Sequence, residues 1–202
     1  MKLLFHCCCA PCAVSCLDFL AGEDIRPELF WYNPNIHPYT EYTARLGAFK
    51  QFAALENLEA EIVDEYGLRG FIRDTFSVMQ NGPQSAGAER CAVCYRARLE
   101  KTAVCAAEKG CDAFSTSLLV SPYQKHDTIR ALGEELADKY GVEFFYRDFR
   151  PGFRAGQEKA RGRGLYTQKY CGCVYSEEER YCRPPRNLSG GQRGTTGNGR
   201  QS

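Results

Sequence analysis

The sequence predicts an α/β fold, a parallel sheet flanked by helices, with a metal site at the carboxyl ends of its strands. Short apolar runs alternate with helix-length runs along residues 2–149, the pattern of a parallel sheet covered on both faces. The chain has 202 residues, 44% of them hydrophobic and 25% charged, enough for one domain with a substantial core. Its cysteine groups sit where strand-like runs end or loops are expected, the edge at which such sheets build sites.

Each element follows from a local pattern. Lys2–His6 reads as a short buried strand ending in a cysteine-rich turn, and Cys12–Leu20, small and apolar, as the helix after it. Glu28–Asn33 is a second strand, closed by the turn chemistry of Asn33-Pro34-Asn35, and Tyr39–Leu58 carries apolar residues at helical spacing. Ala60–Tyr66 gives a third strand, Gly67–Phe76 a helix, and Gln80–Glu89 a polar loop. Cys94–Lys109 reads as a helix and Ala113–Leu118 as a strand. Thr128–Tyr140 is an amphipathic helix stopped by Gly141, and Val142–Phe149 is a last strand. Residues 1–186 are expected to form one catalytic α/β domain. Residues 187–202, polar and glycine-rich, are expected to be a disordered tail.

Composition excludes several classes. No apolar run approaches the roughly 20 residues that span a bilayer, and the amino terminus lacks the pattern of a secretory signal; a cytoplasmic protein with no membrane partner is expected. Charge is polarised along the chain. Residues 1–149 hold 15 Lys and Arg against 21 Asp and Glu, whereas residues 150–202 hold 11 against 4. A basic carboxyl-terminal part suits a polyanion, and equally a solvated tail.

Twelve cysteines in a chain too long for a small secreted scaffold and without an export signal point to metal or redox chemistry. Seven fall into three compact groups: Cys8, Cys9 and Cys12 in HCCCAPC, Cys91 and Cys94 in CAVC, and Cys171 and Cys173 in CGC. Cys-x-x-Cys brings two thiolates onto one metal or cluster, and Gly172 lets those of CGC point the same way. Seven thiolates exceed what one four-ligand centre requires. A structural zinc ribbon uses only four of them, and a thioredoxin-like dithiol explains only one pair. Cys16, Cys105 and Cys111 read as buried small hydrophobes.

The stretches HCCCAPC, YNPNIHPYTEY at residues 32–42, CAVCYRARLEKTA at 91–103 and YCGCVYSEEER at 170–180 together resemble the epoxyqueuosine reductases of the QueH type, from Lys2 to about Tyr181. The resemblance implies a Rossmann-like sheet similar to adenine nucleotide hydrolases. It also implies reductive deoxygenation of epoxyqueuosine in tRNA to queuosine at the wobble position, the last step of queuosine biosynthesis. A [4Fe–4S] cluster and an adjacent mononuclear iron come with that family, and no cobalamin is expected. Carried over by motif, Cys91, Cys94, Cys171 and Cys173 hold the cluster, leaving Cys8, Cys9 and Cys12 as catalytic ligands of the second iron. The tRNAs implied have GUN anticodons, and electrons come from an external donor.

Other candidates follow the same motifs. His6 and His37 are placed near the strand-end site as candidate proton donors, although structural hydrogen bonding explains single loop histidines as well. Tyr32, Asn33, Asn35, Tyr95, Ser115, Thr116 and Ser117 are candidate pocket residues. Arg150, Arg154, Lys159, Arg161, Arg163 and Lys169 precede CGC with only Glu158 opposing them, a candidate phosphate-binding run with Phe153 and Tyr166 for stacking. Two competing functions remain: a cluster-dependent tRNA sulfur-transfer enzyme and a zinc-stapled RNA-binding module. The first needs ATP, and the chain has neither a GxxxxGK[ST] loop nor an SGGxDS-type loop after the first strand.

Overall fold

The computed structural model describes residues 1–79 and 86–182. A five-stranded, wholly parallel sheet has the order β3-β2-β1-β4-β5, with β1 Leu3–His6, β2 Glu28–Trp31, β3 Ala60–Ile62, β4 Ala113–Thr116 and β5 Glu143–Phe144. The helices are α1 Ala10–Gly22, α2 Tyr39–Glu56, α3 Leu68–Met79, α4 Ala86–Glu108, α5 His126–Tyr140, α6 Phe153–Gly162 and α7 Val174–Tyr181. This is the α/β architecture predicted, and it is Rossmann-like. No helix among the described residues is long and apolar enough to cross a membrane.

The central strands are buried along their whole length because helices cover both faces, so continuous apolar runs rather than alternation specify them. Phe5, Phe30, Trp31 and Phe114 from the sheet pack with Phe49, Phe52 and Phe149. Pro11 occupies the first turn of α1, where its missing N–H has no partner to lose. Asn57 and Gly141 end α2 and α5 in the left-handed region.

Three differences from the sequence reading bear on the site. Helix α4 begins at Ala86, so Cys91 and Cys94 lie inside a helix rather than at a loop end; the rest of the expected 80–89 loop, residues 80–85, lies outside the described residues, as does the expected tail at 187–202. Strand β5 stops at Phe144 instead of Phe149, because polar Arg147 and Asp148 and the following Pro151 do not suit a sheet interior. The basic run after Arg150 forms α6, which packs on α1 through Gly152 and Gly156. A Cβ on either glycine would come within 2.9 Å of Ser15 Cβ. That close approach returns residues 163–173 across the carboxyl ends of the strands.

Candidate metal centre

Strand order reverses between β1 and β4, so a crevice opens at their carboxyl ends. The turn from β1 to α1 fills it with sulfur. Cys9 is the N-cap of α1 and Cys12 lies in its first turn, where helix polarity favours a thiolate. The Sγ atoms of Cys8, Cys9 and Cys12 all lie within 4.8 Å of one another, the one such group of metal-ligating side chains among the described residues. Directly after β4, Ser117 Oγ accepts a hydrogen bond from the Cys8 amide at 2.9 Å and donates to Cys8 Sγ at 3.2 Å. Gln168 Nε2 donates to Cys9 Sγ at 2.8 Å. Hydrogen bonds from Cys12, Cys9 and Ser117 hold Cys8 well below the usual thiol range. Burial pushes Cys9 up, and the bond to Cys8 pushes Cys12 up. The trio thus stabilises one thiolate by sharing protons among three sulfurs, and a cation can replace those protons. A single ion with metal–sulfur bonds of about 2.3 Å needs sulfurs just under about 4 Å apart; Cys8 and Cys9 are 3.9 Å apart. The group can hold a metal ion.

The remaining thiols converge differently. Cys91 and Cys94 are one turn apart on α4, hence on one face. Cys173 caps α7, its Sγ accepting from the Ser176 amide, and shares a small buried cluster with Cys94 and Phe71. Gly172 has φ +128°, and a Cβ there would meet Arg45 Nη1 at 3.0 Å and Ile36 Cγ1 at 3.2 Å, so only glycine fits between the two cysteines. Arg45 fixes the same loop by donating to the carbonyls of Tyr170 and Cys171 at 3.0 and 2.9 Å. Hydrogen bonding with Cys173 lowers Cys171 to about 5 and raises Cys173; burial raises Cys91, and raises Cys94 to about 12. No three of these four sulfurs meet the 4.8 Å limit. This quartet is spaced too widely to close on one ion.

A cavity of about 560 Å³ joins the two sets: Cys8, Cys12 and Cys171 line it, with Arg45, Arg98 and Gln168. A cavity of similar size, about 590 Å³, lies among Lys2, Arg26 and Asn57 at the opposite edge of the sheet and contains no thiol. Cys7 and Cys16, both buried, donate to the carbonyls of Phe5 and Cys12 and belong to the core. All twelve cysteines are free thiols.

Neither histidine lines the cavity. His6 is fully buried between Thr116 Oγ1 at 2.9 Å and the Tyr32 carbonyl at 3.2 Å, so Nε2–H donates to the carbonyl and Nδ1 accepts from the hydroxyl. His37 is buried against the rings of Tyr66 and Phe71, with no hydrogen-bond partner for its ring nitrogens among the described residues. Its backbone clamps the CGC loop: the amide donates to the Gly172 carbonyl at 2.7 Å, and the His37 carbonyl accepts from the Tyr170 hydroxyl at 2.6 Å. Burial lowers both rings to about 4, so they are neutral at pH 7. The unfolded chain takes up these protons near pH 6.5 and the folded chain only near 4, so stability is complete above pH 6.5 and declines as pH falls to 4. For His6 the loss is on the order of 3 kcal/mol. Urea unfolding at pH 7 and pH 4.5 should show that decline, with a shallower one in His6→Gln; equal declines would exclude His6 as its source.

Asn33 Nδ2 donates to the Cys7 carbonyl at 2.9 Å, supporting the cysteine turn, and Tyr95 hydroxyl donates to Gln124 on the cavity wall at 2.7 Å. Of the basic run, Arg150 pairs with Asp148, Lys159 with Asp18 and Arg163 with Glu56. Arg154 and Arg161 are exposed, and Lys169 lines the cavity. Sequence reasoning missed Arg45, Arg98 and Gln168. Arg98 alone carried a local signal, one helical turn after Cys94.

The family model described as "Epoxyqueuosine reductase QueH" matches residues 3–179. Relatives of that name include one from Dehalococcoides mccartyi, 36% identical over 183 residues, covering 91% of this chain and 96% of the relative. One from Thermotoga maritima is 35% identical over 180 residues, covering 88% and 91%. Another from Streptococcus pyogenes is 32% identical over 180 residues, covering 87% and 70%.

Proposed function

The chain belongs to the epoxyqueuosine reductase QueH family, and from that membership we propose that it reduces epoxyqueuosine in tRNA to queuosine as an oxidoreductase of queuosine biosynthesis. The observation that supports the reading is the Cys8, Cys9 and Cys12 group on a cavity that Cys171 also lines. We assign a [4Fe–4S] cluster to Cys91, Cys94, Cys171 and Cys173 and a mononuclear iron to Cys8, Cys9 and Cys12, with no cobalamin. When bound, these groups supply single electrons and a Lewis-acid position for an epoxide oxygen.

Two electrons and two protons convert the epoxide to an alkene and water. The chain's own residues prepare that exchange. Ser117 and Gln168 orient the sulfurs of the trio, Arg45 and Gly172 hold the CGC loop, and the cavity of about 560 Å³ has room for a nucleoside. His6 and His37 do not line the cavity: the His6 ring ties Thr116 to the Tyr32 carbonyl, and the His37 backbone holds the CGC loop. The protons therefore come from elsewhere in the cavity or from the solvent at its mouth.

A tRNA carrying epoxyqueuosine, with a GUN anticodon, is the partner we propose, with an external electron donor in the cytoplasm. Tyr123, 83% exposed, stands edge-on to Phe153 at the cavity mouth, a stacking surface for an unpaired base. Arg154, Arg161 and Lys169 are the proposed phosphate contacts. Reversing Arg154 and Arg161 to Glu should weaken tRNA binding and lower the salt slope by about 2; an unchanged slope would assign these charges to solvation.

The deciding experiment is metal and sulfide analysis of anaerobically purified protein, followed by nucleoside analysis of treated epoxyqueuosine tRNA. About five irons and four sulfides per chain, with formation of queuosine, are expected. One zinc, no sulfide and no conversion would replace this reading with an RNA-binding module.

A further inference from the structure

Two arginines are buried beside the thiols, and they differ in one respect. Arg45 is paired with a carboxylate, Glu41, at 2.7 Å. Arg98 is only 3% exposed, yet no carboxylate among the described residues forms an ion pair with it. Its Nη2 donates to Cys94 Sγ at 3.1 Å and its Nε to the Cys94 carbonyl at 3.1 Å, while its guanidinium carbon lies 5.9 Å from the centroid of the Tyr95 ring. A guanidinium does not escape burial by losing its proton, and a buried cation without an anion is costly. The ionisable groups whose charge acts on Arg98 are Cys94 and Cys171 of the quartet, Cys8 of the trio and the Tyr95 hydroxyl. Arg98 also lines the cavity between the two sets.

We propose that Arg98 is the counter-charge shared by the two thiolate sets, a positioning residue that sets the reduction potential of the centre held by Cys91, Cys94, Cys171 and Cys173. Reduction adds negative charge to such a centre. A fixed cation hydrogen-bonded to one of its sulfurs stabilises the reduced form and raises the potential. Removing the charge lowers it, whereas a packing role leaves the potential where it was.

The inference rests on the cluster reading above, and the experiment separates the two. Holoprotein purified without oxygen is titrated with a reductant and followed by EPR, for the wild type, Arg98→Met, Arg98→Gln and Arg98→Lys, with iron and sulfide measured in each. Arg98→Met and Arg98→Gln should bind the electron at least tenfold more weakly, a fall of about 59 mV for one electron. Arg98→Lys, which keeps the charge, should recover most of the difference. A neutral variant that keeps its iron and sulfide and titrates at the wild-type potential overturns the proposal. If both neutral variants lose the metal and Arg98→Lys retains it, the counter-charge is supported; loss in all three overturns it, since shape rather than charge is then what the site requires. A wild-type protein with no reducible cluster defeats the cluster reading itself.

Discussion

Replacing Cys8 with alanine is expected to abolish conversion of epoxyqueuosine-containing tRNA, by more than about a hundredfold, while the sulfide content stays at the wild-type level. Loss of an outer-shell partner of a metal site typically costs about 10–100-fold, and Cys8 is a proposed direct ligand. Among the trio it is the thiol held lowest, by Cys12, Cys9 and Ser117, and it faces the cavity. The quartet is built from α4 and the CGC loop, separate elements that do not depend on Cys8 for their geometry. Nucleoside analysis of the treated tRNA, with iron and sulfide determined on the same sample, checks both halves. Activity above a tenth of wild type would remove Cys8 from the reaction. Cys9→Ala should behave alike, because Cys9 shares the same ion-sized arrangement.

The second large effect belongs to Cys94→Ala. Cys94 is buried against Cys173 and Phe71 and accepts from Arg98, so truncation removes one proposed ligand and leaves a buried guanidinium without its sulfur. Sulfide is expected to fall from about four per chain to under about one, the brown colour to disappear, and the melting temperature to drop, because metal binding and folding are coupled. Visible spectroscopy, sulfide analysis and thermal unfolding under anaerobic conditions measure this. Cys105→Ala serves as the control: that thiol lies near Lys109 and Glu61 at the far edge of the sheet, and its variant should retain colour and sulfide. A Cys94→Ala protein with undiminished sulfide would show that the quartet is not the cluster site.

Much of this arrangement was legible in residue order. Strand and helix alternation from Lys2 to Tyr140 determined the parallel sheet, because buried parallel strands need continuous apolar runs and crossovers need helices. The HCCCAPC turn had to lie beyond the first strand, and CAVC and CGC were recognisable as thiol pairs from spacing alone. Gly172 was marked as the residue on which the CGC turn depends, and its φ of +128° is one that favours glycine.

Tertiary structure decided the rest, because it depends on contacts between residues far apart in sequence. That Cys91 and Cys94 share a helix face follows from α4 starting at Ala86, where packing extends a helix that local composition marked as a loop. The strand order that opens the crevice between β1 and β4 is set by sheet pairing. Burial, invisible in a motif, lowers His6 and His37 to about 4 and leaves both outside the cavity lining, and ion pairing with Asp148, Asp18 and Glu56 engaged half of the basic run. Gln168 reaches Cys9 across 159 residues, and Arg45 reaches Cys171 across 126. The sequence alone determined which atoms can bind metal and roughly where the chain turns. The folded chain decided which of those atoms meet, because only packing sets the distances, burial and neighbouring charge on which ligation and protonation depend.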